Sequence, residues 1–358
     1  MNTQTLQKLW FRLNVQLTRK EKLIFAKYLS VLLGAGLAID ESVDVLQKQA
    51  TGSLGRILNH LSATVKHGET LATGLSAFPH VFSPLFINLV ESGEASGNLQ
   101  GNLLNVVSHL EKEYELNSKI RGALIYPIVI MVMAGVIAAG IFIFVIPNVI
   151  AMFKSLKVEL PLPTRILIAI AEFISSHGVL TVALILGTVA IVASIRKIAF
   201  FDKALHGLLL ISPVIGGIAK KVNMARLTRS LGTMVKSGIS IDEAVVITKN
   251  TLDNVYYKDI VEELKEAIKL GNELSTVLEK HSRLIPPMAS HVIFVGEQAG
   301  SLGDMLMYLA TFYENEVSEV TKNLSQLMEP FLLVFIGVMV GGLALAVMTP
   351  IYEVVGSF

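Results

Sequence analysis

The chain contains one module written twice. GAGLAIDESV at 34–43 aligns with KSGISIDEAV at 236–245, an offset of 202 that pairs Gly36 with Gly238 and Asp40 with Asp242. GEASGNL at 93–99 aligns with GEQAGSL at 296–302, an offset of 203. The same 203 pairs Pro127 with Pro330 and Pro147 with Pro350, and Ala134 and Ala138 with Gly337 and Gly341. One added residue between the two matches is absorbed by a loop. Chance likeness of two apolar segments would not hold register over so long a stretch. A fold for this chain must therefore be built from two copies of a soluble domain, each followed by an apolar segment.

Three stretches free of charged residues reach the roughly 20 apolar residues that cross a bilayer. They lie at Gly122–Phe153, within Phe173–Ile195 (most apolar from Val179 to Ile195) and at Pro330–Tyr352. The alternative for such a stretch is a buried core helix. Composition agrees with the membrane reading: of 358 residues, 52% are hydrophobic and 16% charged, against roughly 25% charged in soluble domains, and the mean hydropathy is +0.60. With 30 Lys+Arg against 29 Asp+Glu, the chain lacks the basic excess of a nucleic-acid binder. The absence of cysteine excludes disulfides, thiolate metal sites and a cysteine nucleophile.

The N-terminus MNTQTLQKLWFRLNVQLTRKEK has no signal-peptide core, so the expectation is a cytoplasmic start. Lys112, Lys119, Arg121, Arg196, Lys197, Lys203 and Lys322 fall on one side of the spans, and Lys154, Lys157 and Arg165 on the other. The richer side is expected to be cytoplasmic. Two equivalent domains facing one side, each followed by a span, require a third span between them. The expected order is an amphipathic segment at 1–20, a helical bundle at 21–121 and a first span at 122–153. An external segment at 154–177, a second span at 178–196 and a membrane-proximal linker at 197–221 follow. A second bundle at 222–328, a third span at 329–352 and an external tail at 353–358 complete it. Apolar residues recur at helical spacing and strand alternation is absent, so the expected class is an all-α membrane protein with about six short helices in each cytoplasmic bundle. Asp40 is placed to cap the helix after Gly36.

No P-loop, HExxH or GxSxG pattern occurs, and the eight histidines form no pair at ligand spacing. They read as surface or loop residues, and no catalytic, cofactor or metal site is expected. The span centres carry no charge, which disfavours an ion or proton pathway.

The paired GExxGxL elements are the sharpest local feature: Gly93, Glu94, Gly97 and Leu99, then Gly296, Glu297, Gly300 and Leu302. Their glycines permit a turn with positive φ, and each glutamate is expected beside the N-terminus of the following helix. A structural turn accounts for these residues, and a partner contact is the functional alternative. Gly337 and Gly341 form GxxxG inside an apolar span, with Ala134 and Ala138 as the milder equivalent, and suit close helix packing. Pro127, Pro147, Pro330 and Pro350 bracket their spans, suiting helix starts and stops. Leu6, Leu9, Trp10, Leu13 and Leu17 share one helical face, which suits a membrane surface, a partner or the chain's own first bundle. For Lys220, Lys221, Arg226 and Arg229 the expected neighbours are phosphate head groups, with a solvated face as the alternative.

Taken together, LLGAGLAIDESV, GEASGNL, RGALIYP, SPVIG before Lys220–Lys221, KSGISIDEAV, GEQAGSL and MEP resemble the type II secretion F family over Leu23 to Tyr352. These are inner-membrane platform proteins of type II secretion, type IV pilus and competence pseudopilus machines. The resemblance implies two cytoplasmic six-helix bundles, a homo-oligomer and no enzymatic activity. It implies as partners a hexameric cytoplasmic ATPase, pilin or pseudopilin subunits, other inner-membrane assembly proteins and the lipid bilayer, with no direct contact to nucleic acid. The alternative function is a membrane scaffold or sensor that binds soluble signalling partners without a motor.

Overall fold

The computed structural model describes residues 15–147, 169, 187, 199–212 and 215–356, and is helical, with no strand among them. Nearly all of the expected external segment 154–177 and of the second span at 178–196, together with Leu6, Leu9, Trp10 and Leu13, lie outside the described residues.

In the first half, α1 (Arg19–Gly34), α2 (Ile39–Gln49), α3 (Gly52–Lys66), α4 (Leu71–Ser76), α5 (Pro84–Ala95) and α6 (Leu99–Gly140) follow one another. The second half has α7 (Ala199–Ile211), α8 (Ile215–Lys236), α9 (Ile241–Thr251), α10 (Val255–Lys269), α11 (Leu274–Lys280), α12 (Pro287–Gln298) and α13 (Leu302–Gly356). The C-terminus of α1 and both ends of α2 map onto α8 and α9 at an offset of 202, and α3 onward map at 203. The extra residue therefore sits in the connection between α9 and α10, where Leu252–Asp253–Asn254 replaces Ala50–Thr51.

Local chemistry sets the starts of these helices. Thr18 and Glu21 form a reciprocal capping box on α1. The Thr70 hydroxyl accepts from the Thr73 N–H at 3.1 Å, and the Ser83 hydroxyl accepts from Phe86 N–H at 3.3 Å ahead of Pro84. At α2 the cap falls at Ala38, which has no side-chain acceptor. Asp40 lies inside the first turn instead of capping it, and Glu41 beside it complements the helix dipole.

Two compact units divide the chain: Met1–Ser118 with Lys203–Ser318, and Lys119–Asp202 with Glu319–Phe358. The first unit contains the short helices of both halves. One part of its core stacks Phe25, Phe82 and Phe86, with ring centroids 5.0–6.3 Å apart, among buried Leu29, Leu61 and Leu75. Another part buries Tyr257, Ile260, Leu264, Ile293 and Leu306, and the Tyr257 hydroxyl donates to the Leu284 carbonyl at 2.8 Å.

The second unit contains the C-terminal part of α6, a π-helical turn at Ile141–Val145, and most of α13. Its outer residues are apolar: Ile125, Val132, Val136, Phe144, Val338 and Leu345 are all more than half exposed. The helix running from Leu99 to Phe144 is the one described helix long and apolar enough to cross a membrane, and Leu332–Gly342 is a shorter apolar stretch. Pro127 lies inside α6, and Pro330 and Pro350 lie within the range of α13. The helices thus run through these residues where a start and a stop were expected. Pro147 stands just past the π-helical turn. Gly337 and Gly341 have open space where a Cβ would stand, whereas Ala134 is buried and Ala138 partly so.

Candidate functional site

The GExxGxL corner is built identically in both halves, and its glutamate acts backward along the chain. Glu94 Oε1 accepts from Leu71 N–H at 2.6 Å and Oε2 from Ala72 N–H at 2.9 Å. Glu297 accepts from Leu274 N–H at 2.6 Å and Ser275 N–H at 3.1 Å. Each carboxylate therefore clasps the first two amides of the preceding short helix, α4 or α11, and not the N-terminus of the following helix as expected. The physics is the same, a carboxylate on orphan helix N–H groups, but the recipient lies 23 residues upstream.

The two glycines of each corner do different work. Gly97 and Gly300 turn the chain with φ of +69° and +65°. Gly93 and Gly296 are helical and buried, without positive φ. A Cβ on Gly93 would stand 2.9 Å from Leu99 Cα, and one on Gly296 3.1 Å from Leu302 Cα. Those glycines let the following helix cross close over α5 or α12, and Leu99 and Leu302 start that crossing. Asn102 fixes it in the first half by donating to the Leu89 carbonyl at 3.1 Å. Because the obstructing atom is backbone, Gly93→Ala is expected to cost about 1–3 kcal/mol, read as a lowered denaturation midpoint of the full chain in detergent.

A second constellation joins the two halves within the first unit. Ser92 Oγ donates to the Ser237 carbonyl at 3.3 Å, and Asn105 Nδ2 donates to Ser237 Oγ at 2.9 Å. Arg226 Nη2 donates to Asn117 Oδ1 at 3.1 Å. Beneath this cover Arg229 grips Glu314 in a bidentate pair at 2.7 and 2.6 Å, with side chains only 8% and 13% exposed. The repeat equivalent is Lys27–Glu111, at 3.3 Å, with side chains 59% and 41% exposed. One ion pair has thus been kept in both copies, covered in the second half and open in the first.

Three of the four basic residues expected to meet head groups are engaged by carboxylates: Lys221 with Glu316 at 2.6 Å, Arg226 with Asp253 at 2.5 Å, and Arg229 as above. Lys220 instead lines an open cleft of about 780 Å³ with Lys280 and Arg283.

His109 corrects the expectation of surface histidines. It is buried on α6 against the second half, in a small pocket with Lys112, Glu113, Arg226, Arg229 and Glu314. Its Nδ1 has no hydrogen-bond partner among the described residues. Burial holds the imidazole well below its usual range, at about 4; Arg229 acts in the same direction and Glu113 opposes it. The unfolded chain takes up this proton first, near pH 6.5. His109 therefore contributes stability that is fully present above about pH 6.5 and lost as pH falls toward 4. His109→Phe, which installs the residue found at the equivalent position 312, is expected to flatten this part of the stability profile, measured as thermal midpoints between pH 7.5 and 4.5.

Spacing arguments found the corner but missed the join. A signal for it was present: Lys27 and Glu111 map onto Arg229 and Glu314 at the two repeat offsets. No cluster of metal-ligating side chains occurs among the described residues.

The profile of the family described as Type II secretion system (T2SS), protein F, matches the chain twice, at residues 25–147 and 227–350. A type IV pilus assembly protein PilC of Thermus thermophilus is 35% identical over 342 residues, covering 94% of this chain and 83% of that protein. A protein of the same name from Pseudomonas aeruginosa is 31% identical, covering 92% and 88%. The type II secretion system protein F of the same bacterium is 31% identical, covering 94% and 83%.

Proposed function

The chain belongs to the type II secretion system protein F family, and from that premise we propose that it is the inner-membrane platform of a type IV pilus or type II secretion machine. In this reading residues 21–121 and 222–328 are two homologous six-helix bundles in the cytoplasm, carried by three membrane spans, with the N-terminus inside and the C-terminus outside. The platform couples a hexameric cytoplasmic assembly ATPase to insertion or extraction of pilin or pseudopilin subunits, without catalysing a reaction itself. Other inner-membrane assembly proteins and the bilayer are its remaining neighbours.

The observation that carries this reading is the join between the halves. Ser92, Asn105 and Asn117 hydrogen-bond directly to Ser237 and Arg226, which supports a reading with both domains on one side of a membrane. Between them the chain passes through long apolar segments. Such a linked pair can shift as a body when a motor beneath it changes shape, and it needs no active site to do so. The glutamate clasps tie α4 and α11 to their corners, so a push on either short helix reaches the helix that continues into the apolar unit.

Purified protein in lipid vesicles is expected to raise ATP turnover by its cognate assembly ATPase, and deletion of its gene to abolish fibre assembly. Normal fibres after deletion would overturn the proposal.

A further inference from the structure

The join between the halves is one-directional. The first half contributes its α5–α6 face (Ser92, Asn105, His109) and the second half α8 with Arg229, Ser237 just after it, and α9, which packs on α5. Since both halves are copies, each also carries the surface that the other uses. The equivalents of Ser92, Asn105 and His109 are Val295, Tyr308 and Phe312 on α12–α13. That of Ser237 is Ala35, just after α1, and on α1 beside it Tyr28 and Val31 stand at the positions of Ser230 and Thr233.

These unused copies are open and apolar. Val295 is 56% and Tyr308 57% exposed, and Tyr28 and Val31 are 56% and 60% exposed. Their counterparts on α8, Ser230 and Thr233, are 1% and 5% exposed and are engaged within the second half, by the Thr251 hydroxyl at 3.0 Å and Met307 Sδ at 3.9 Å. The Lys27–Glu111 pair beside Val31 lies uncovered where Arg229–Glu314 is buried. Apolar side chains held at the positions of an existing interface, but bare of it, mark a surface that a partner covers.

We propose that the chain self-associates head to tail, the α12–α13 face of one copy docking on α1 of the next in the geometry that already joins the two halves inside each copy. The occupant is a second copy because the complementary surface to each open face exists on this chain. Such a contact is heterologous, so it propagates around a ring or along a row and does not stop at a two-fold dimer. Tyr308 would take the place of Asn105 and sit against Ala35, and Val295 would take the place of Ser92. This inference rests on the duplication and the join, not on the platform reading, so either can fail alone.

Absence of native cysteine makes the test clean. Full-length chains carrying Ala35→Cys or Val295→Cys, with different tags, are reconstituted in lipid vesicles and oxidised. The expected result is a disulfide-linked species when the two are mixed and none from either alone. A chain carrying both substitutions is expected to give a ladder beyond the dimer. Linkage within single-cysteine samples alone, or no linkage in the mixture, overturns the proposal. Tyr308→Asp, at an exposed position, is expected to leave the thermal midpoint unchanged while weakening self-association at least tenfold, as loss of a central aromatic does. Unchanged self-association in that variant also overturns it.

Discussion

Arg229→Ala is expected to destabilise the protein by about 3–5 kcal/mol, the cost of leaving a buried carboxylate without its partner. Glu314 is 13% exposed and receives both Nε and Nη2 of Arg229 at 2.7 and 2.6 Å. Without the guanidinium, Glu314 either stays charged in a poorly solvated place or takes up a proton, and both routes cost stability. The equivalent substitution in the first half supplies an internal control. Lys27→Ala removes a pair whose side chains are 59% and 41% exposed, and it is expected to cost less than about 1 kcal/mol. Replacing both partners, as Arg229→Met with Glu314→Leu, is expected to recover most of the loss, because an apolar pair of similar volume needs no desolvation of charge. Denaturant titrations of the full chain in detergent, followed by circular dichroism, read all three. Equal losses for Arg229→Ala and Lys27→Ala would show that the cover given by the first half does not isolate the pair from water.

Glu94→Ala and Glu297→Ala are each expected to cost about 2–3 kcal/mol, the loss of charge-assisted bonds to two helix N-terminal amides. Glutamine at either position keeps one acceptor oxygen and is expected to lose less than alanine. The clasps lie in separate corners of similar construction, with bonds to Leu71 and Ala72 in one and to Leu274 and Ser275 in the other. The double alanine variant should therefore lose close to the sum of the two singles. Hydrogen exchange gives the local readout: amides at 71–72 should lose protection in Glu94→Ala while those at 274–275 do not, and the reverse in Glu297→Ala. Loss of protection in both corners from one substitution would refute the independence of the clasps.

Register and helix order were legible because a duplication carries its own control. Gly36 against Gly238, and Gly97 against Gly300, marked helix ends that fall at matching places in both halves. The partner of Glu94 was not legible. Sequence adjacency pointed to the helix starting at Leu99, whereas folding brings α4 back across the corner, a contact made by tertiary packing that no local pattern encodes. His109 was misread for a related reason. It stands off the apolar stripe of Leu103, Val106 and Val107, so its own half gives no cause to bury it, and the surface that does so belongs to the other half. Asp40 missed the cap position because α2 starts at Ile39, placing the carboxylate within the helix. For Pro127 the difference lies in length: proline breaks a short soluble helix, but α6 continues for 42 residues, and other bonds along so long a helix absorb one missing amide.

The polar character of the join has a consequence for how strongly it must hold. Two copies on one polypeptide meet at an effective concentration on the order of millimolar, so their contact no longer needs the affinity that separate subunits require. Ser92, Asn105 and Ser237 hold the halves in register through a few hydrogen bonds. Val295 and Tyr308, the equivalents of Ser92 and Asn105 on a face without such a tether, are apolar or aromatic and exposed. A seam inside one polypeptide can thus be held by a handful of polar contacts, whereas a contact between separate copies would need the larger apolar area that the outer face offers.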